Sequence, residues 1–176
     1  MLFETARLKL RKLVREDYEE LCEILQDIEI MYAWEHEFSD EEVIEWIEKN
    51  IERYEKHGFS YLAAIEKDTN KFVGVMGPLV ETIEEREEIG IAYILNKKYW
   101  KKGYAVEGVS ASIKYAFDVL KAKKVIAQIR PSNENSIKVA KSLGMKLESE
   151  YVKHYMEKEM IHYIYSIEKD GEKNAD

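Results

Sequence analysis

The stretch Trp100-Lys101-Lys102-Gly103-Tyr104-Ala105-Val106-Glu107 decides the reading of this chain. It lies between a strand-like run, Ile89 to Leu95, and a segment in which Val106, Val109, Ile113, Phe117 and Leu120 recur at helical spacing. A strand that turns tightly into a helix start gathers several backbone amides in one small volume, an arrangement that suits a diphosphate. Lys97, Lys98, Lys101 and Lys102 crowd the same turn although the chain carries a formal net charge of -8. That local reversal of sign fits an anionic ligand. Taken one at a time, the same lysines fit a solvated charged surface.

Upstream of this turn, Leu8, Leu10 and Leu13 interleave with charged residues and predict a half-buried first strand from Ala6. A helix follows from Arg15 to Asp17 onward, with Tyr18, Leu21, Cys22, Leu25 and Ile28 as its apolar stripe. Met31 to Phe38 has no clean period and reads as an aromatic loop or irregular helix. Ser39 with Glu42 is a capping-box pattern, and the helix behind it runs to about His57, where Gly58 stops it. Phe59 to Ile65 and Lys71 to Leu79 predict a hairpin. Glu81 to Glu88, with five glutamates and Arg86, reads as a solvated turn.

Ile89 to Leu95 is apolar or small on both faces, as a central strand requires. Downstream, Lys124 to Arg130 predicts a strand, Ile137, Ala140 and Leu143 a short helix closed by Gly144, and Lys146 to Val152 with Met160 to Ile167 an antiparallel pair. The order is strand, two helices, three strands, helix, strand, helix, two strands. It predicts a three-layer α/β domain with a mixed central sheet over residues 1–168, and a polar tail over residues 169–176.

The 176 residues suit one domain with a sizeable core. Neither a signal peptide nor a run of about 20 apolar residues is present, and Cys22 is the only cysteine. These features fit a reducing, cytoplasmic setting without a membrane partner. The acidic balance disfavours a general nucleic-acid binder. Histidines 36, 57, 154 and 162 have no metal-ligand spacing, so no metal site is implied.

Glu88-Ile89-Gly90-Ile91-Ala92-Tyr93-Ile94-Leu95, the turn at Trp100 to Glu107, Asn133-Glu134-Asn135-Ser136 and Leu143-Gly144-Met145 follow one another in an order that resembles the Gcn5-related N-acetyltransferase superfamily. With the opening Leu2 to Asp17, the chain resembles the branch of ribosomal-protein alanine N-acetyltransferases over about residues 2–167. The resemblance implies a sheet splayed between its fourth and fifth strands, acetyl-coenzyme A (acetyl-CoA) as donor, and transfer to a primary amine by direct attack. A protein N-terminal α-amine, a small-molecule amine and a polyamine are open as acceptors, as is a non-catalytic acyl-CoA binding module. Dimers are frequent in the superfamily, and the residues leave the oligomeric state open.

On that model Ile91, Tyr93, Ile94 and Leu95 line one side of the gap, and the amides of Lys101, Lys102, Gly103, Tyr104 and Ala105 cradle the diphosphate. Asn133 is first a helix N-cap and second a cofactor contact. Glu88 is the candidate base for the incoming ammonium, and a candidate acceptor contact. The tyrosine acid of many relatives is replaced by Ala140, and Ser136 is the hydroxyl that the resemblance places near the thiol. Met31, Trp34 and Glu35 would form part of the acceptor wall; Trp34 and Phe38 fit equally as plugs between helices and sheet. The branch usually has glycine where this chain has Lys101 and phenylalanine where it has Met145.

Overall fold

Leu8 and Leu10 are fully buried and alternate with Lys9 and Arg11, as a strand at a core surface requires. In the computed structural model, which describes residues 2–170, they lie on β2 (Leu8–Lys12), paired with a short leading strand β1 (Phe3–Glu4). A 3-10 turn at Arg15–Asp17 opens α1 (Tyr18–Leu25). The predicted stripe ends there: Asp27 accepts a hydrogen bond from the Glu29 amide at 2.9 Å, a local turn that competes with further helix and leaves Ile28 exposed. Tyr32–Trp34 forms a second 3-10 turn within the aromatic segment.

The capping box closes as the residues dictate, with the Ser39 hydroxyl accepting from the Glu42 amide and the Glu42 carboxylate accepting from the Ser39 amide, each at 3.2 Å. It starts α2 (Asp40–His57), which stops at Gly58 with φ 86°. The remaining elements are β3 (Leu62–Glu66), β4 (Phe72–Ile83), β5 (Arg86–Leu95), α3 (Tyr104–Asp118), β6 (Lys124–Ile129), α4 (Glu134–Ser142), β7 (Lys146–Tyr155) and β8 (Lys158–Glu168). Residues 171–176 of the predicted polar tail lie outside the described residues.

The acidic stretch is where sequence and structure part. Glu81 to Glu88 is a hairpin continuing β4 into β5, and only Glu84 and Glu85 form the turn, both at positive φ (46° and 70°). Such a turn ordinarily takes Asn-Gly, so two glutamates there give no local signal. Glu81 therefore sits inside a strand, paired with Glu88, with the buried Leu79 and Ile83 two residues to either side on the same face.

The sheet order is β1-β2-β3-β4-β5-β6-β8-β7, and every neighbouring pair is antiparallel except β5 and β6. Those two parallel strands, the predicted fourth and fifth, meet at the single pair Gly90 with Ile126 and then separate. The expected splay is thus present. One core joins α1 and α2 to β2, β3 and β4; a second joins α3 and α4 to β5, β6 and β8. Gly108 lets α3 close onto the sheet, since a Cβ there would overlap the Met76 sulfur at 1.9 Å.

Candidate active site

Separation of β5 from β6 opens two joined cavities. The larger, about 710 Å³, lies beside the start of α3 and is lined by Tyr93, Ile94, Leu95, Lys101, Gly103, Tyr104 and Ala105, with Asn133, the N-cap of α4, and Ser136 in its first turn. The smaller, about 170 Å³, is lined by Glu81, Ile91, Gln128, Arg130, Lys153 and His162 among others. Trp34, Tyr93, Asn133, Ser136 and Val139 border both, so the two form one passage through the sheet.

At the mouth of the larger cavity the backbone is shaped for an anion. Lys101 (φ 59°) and Gly103 (φ 81°) are both left-handed, and Gly103, as N-cap of α3, brings no side-chain oxygen to the first amides of the helix. Those amides are left for an external acceptor, and the helix dipole adds to their pull on negative charge. The left-handed conformation is the physical reason a glycine suits position 101; a lysine there costs about 1 kcal/mol. The turn is fastened to the N-terminal strands: Glu107 accepts from Arg7 Nε at 2.9 Å and from Thr5 Oγ1 at 2.6 Å, and Arg7 Nη1 donates to the Lys102 carbonyl at 2.9 Å. Burial alone would raise the Glu107 pKa, but these donors outweigh it and hold the carboxyl below its usual range.

Of the four lysines, two are spoken for. Lys97 bridges Asp27 and Glu29 at 2.9 and 3.1 Å, and Lys98 lies 3.5 Å from Glu23. Lys101 lines the larger cavity, whereas the Lys102 ammonium sits over the Tyr99 ring at 5.8 Å and its side chain borders neither cavity.

At the junction, Asn133 caps α4 by accepting from the Ser136 amide at 3.2 Å and also accepts from the Tyr32 hydroxyl at 3.0 Å. The Ser136 and Tyr93 hydroxyls are 3.0 Å apart. Burial is the main reason the Tyr93 pKa is raised, with the Ser136 hydrogen bond opposing, so Tyr93 keeps its proton. Ala140, the position at which the resemblance implies a tyrosine, is buried in the wall of the smaller cavity beside Met145.

Glu88, the expected base, borders neither cavity; Lys124, whose pKa is raised first by its hydrogen bond to Glu148, feels the Glu88 charge as a lesser cause. Its strand partner Glu81 is the carboxylate that lines the smaller one. Gln128 Nε2 donates to Glu81 Oε2 at 2.5 Å, and the Tyr151 hydroxyl donates to Gln128 Oε1. Burial raises the Glu81 pKa, opposed by the Gln128 hydrogen bond and the fields of Lys153 and Arg53. Room for this carboxyl comes from Gly90, where a Cβ would stand 2.6 Å from Glu81 Cδ. An isolated glycine inside a strand pattern is the signal that something approaches closely there.

The aromatic wall divides as well. Trp34 borders both cavities while packing on the first core, and Phe38 belongs to that core alone. Met31 is 1 % exposed and belongs to the first core, bordering neither cavity. Glu35 is exposed outside both cavities, with Oε2 3.4 Å from Arg130 Nη1. Among the described residues no helix is long and apolar enough to cross a membrane.

Comparison with known proteins agrees with this geometry. Residues 7–146 match the family model of an acetyltransferase (GNAT) domain. The uncharacterized N-acetyltransferase p20 of Bacillus licheniformis is 32% identical over 150 residues, covering 82% of each chain. A solved acetyltransferase (GNAT family) from Bacillus anthracis superposes with a TM-score of 0.79 at 27% identity, covering 94% of this chain and 96% of that one. Two more distant structures share the fold: the ribosomal-protein-S5-alanine acetyltransferase of Vibrio fischeri (TM-score 0.74, 23% identity, 96% of each chain) and the spermidine N-acetyltransferase of Vibrio cholerae (TM-score 0.71, 19% identity, 93% and 96%).

Proposed function

Because this chain belongs to the acetyltransferase (GNAT) family, whose members use acyl-coenzyme A, we propose that it moves an acetyl group from acetyl-CoA to a primary amine by direct attack in a ternary complex. The observation that carries this reading is the passage through the sheet, with amides for an anion at one end and the raised carboxyl of Glu81 at the other. The acceptor class is a small amine or a protein N-terminal α-amine.

The amides from Lys101 to Ala105 and the Lys101 ammonium hold the donor's diphosphate, and Tyr93, Ile94 and Leu95 border its arm. Bound there, the donor supplies an activated thioester. Glu81 takes a proton from the ammonium, directly or through one water, so that the neutral amine attacks; burial tunes it toward that task. Gln128, itself held by Tyr151, fixes the direction of the Glu81 carboxyl. At the junction Tyr93, hydrogen-bonded to the Ser136 hydroxyl, can give its own proton to the departing thiolate, in place of the tyrosine that position 140 lacks.

The test is thiol release from acetyl-CoA with a mixed panel of peptides, amino compounds and polyamines, with mass detection of the product. Acetylated amine is the expected result. Absence of any rise in melting temperature with acetyl-CoA would refute the donor site, and donor binding without an acetylated product would refute the reaction.

A further inference from the structure

Strand register places Glu81, Gln128, Met160, His162 and Lys153 on one sheet face, and Arg130 follows β6 on the same side. This is the acceptor side of the passage, and its charge runs against the rest of the molecule. Two cations, Arg130 and Lys153, line the smaller cavity against one carboxylate, Glu81, which burial biases toward its neutral form. Burial, then the fields of Lys153 and Arg130, keeps His162 below its ordinary value.

Among the described residues Arg130 has one ion-pair partner, the exposed Glu35, which lies outside both cavities. Arg130 Nη1 donates to the Ala33 carbonyl at 2.7 Å and to Glu35 Oε2 at 3.4 Å, while its Nε is buried without a hydrogen-bond partner among the described residues. A buried donor left unpaired is destabilising, and an arriving acceptor oxygen relieves that cost. Nε and Nη2 form the edge of guanidinium that grips a carboxylate with two parallel bonds. Lys153 is exposed and has no ion pair among the described residues.

We propose that this cavity takes an acceptor whose amine is accompanied by a carboxylate a few bonds away, with Arg130 and Lys153 receiving the carboxylate and Glu81 facing the amine. The proposal rests on the amine-acetylation reading above and names its substrate class. A polyamine would set its second cation against Arg130 and Lys153, a like-charge contact that disfavours it. At about 170 Å³ the cavity is below the roughly 300–1,000 Å³ of sites for drug-sized ligands, so it suits a compact head group. A free amino acid and an acidic residue beside a peptide N-terminus share this chemistry.

The test compares matched pairs: free amino acids against their amides, alanyl-glutamate peptides against alanyl-glutamine peptides, and spermidine as the cationic control. The acid of each productive pair is expected to show a kcat/KM about tenfold above its amide, carried by KM. Lys153→Glu and Arg130→Gln should each erase that preference while the rise in melting temperature with coenzyme A persists; Lys153, being exposed, keeps the test open should Arg130→Gln fold poorly. Preference confined to the free amino acids or to the peptides identifies the source, and either supports the proposal. Equal rates for acid and amide, or preference for spermidine, would overturn it and leave amine acetylation standing. Should no amine release thiol, binding of the N-acetylated pairs is read instead: acid-selective binding lost in Lys153→Glu sustains the site although the reaction reading falls, and unselective binding overturns it.

Discussion

Glu81 occupies the space that a side chain at Gly90 would fill, with the carboxyl carbon 2.6 Å from where the Cβ would stand. The glycine is on the neighbouring strand, at the one position where β5 still pairs with β6, so the carboxyl lies across the point where the sheet begins to open. Gly90→Ala should therefore displace the flexible end of Glu81 before it moves any backbone. A loss of about tenfold to a hundredfold in kcat is expected from the misplaced carboxyl, with at most about 1–3 kcal/mol of destabilisation from overpacking. Steady-state kinetics beside a urea titration measures both; unchanged kcat would separate Gly90 from the chemistry.

Glu107 ties the phosphate turn to the N-terminal strands through Thr5 and Arg7. Its carboxyl is depressed in the folded state, so the stability it contributes is present above the unfolded value of about 4.3 and is lost as pH falls through the lower folded value. Glu107→Gln should lower the melting temperature at pH 7 and narrow its difference from the wild type at about pH 3. A difference that stays constant across that range would show the charge to be unimportant.

Lys101 adopts a left-handed conformation beside the larger cavity. Lys101→Gly relieves the strain, about 1 kcal/mol, but adds freedom to the unfolded chain, about 0.4–1 kcal/mol, so stability should scarcely change. Affinity for coenzyme A should fall several-fold, more at low salt than at high salt, because the lost contact is electrostatic. Titration calorimetry at two salt concentrations checks this; unchanged affinity would leave the phosphates to the amides alone.

Tyr93 and Ser136, 3.0 Å apart at the junction of the two cavities, are the proposed proton source for the departing thiolate. Tyr93→Phe is expected to reduce kcat by about 10²-fold or somewhat less, the low end for general acid catalysis, and Ser136→Ala to reduce it less because the tyrosine retains its own proton. A thioester donor with a more acidic leaving thiol should recover part of the loss in Tyr93→Phe. No recovery would assign Tyr93 to positioning.

Features written in neighbouring residues were legible in the sequence. The Ser39–Glu42 box, the Gly58 stop, the turn at 100–107 and the Asn133 cap each depend on backbone groups within a few residues. The splay followed from the family resemblance. Glu81 was not legible, because its surroundings are assembled by Gly90 on the next strand and Gln128 nearly fifty residues away, while five glutamates in eight residues read locally as a solvated turn. The lysine cluster misled in the opposite direction: Lys97 and Lys98 face the acidic segment 23–29, a contact made by the fold rather than by spacing.

The central claim is that the base is Glu81, and the pH dependence of kcat/KM for wild type, Glu81→Gln and Glu88→Gln tests it most directly. Glu81 acts when ionised and its pKa is raised, so wild-type activity should climb with pH along a limb lying above the ordinary glutamate value of about 4.3. Glu81→Gln should lose that limb with about 10²–10⁴-fold of the rate, while Glu88→Gln keeps both. Loss of the limb in Glu88→Gln, with Glu81→Gln retaining wild-type activity, would contradict the account.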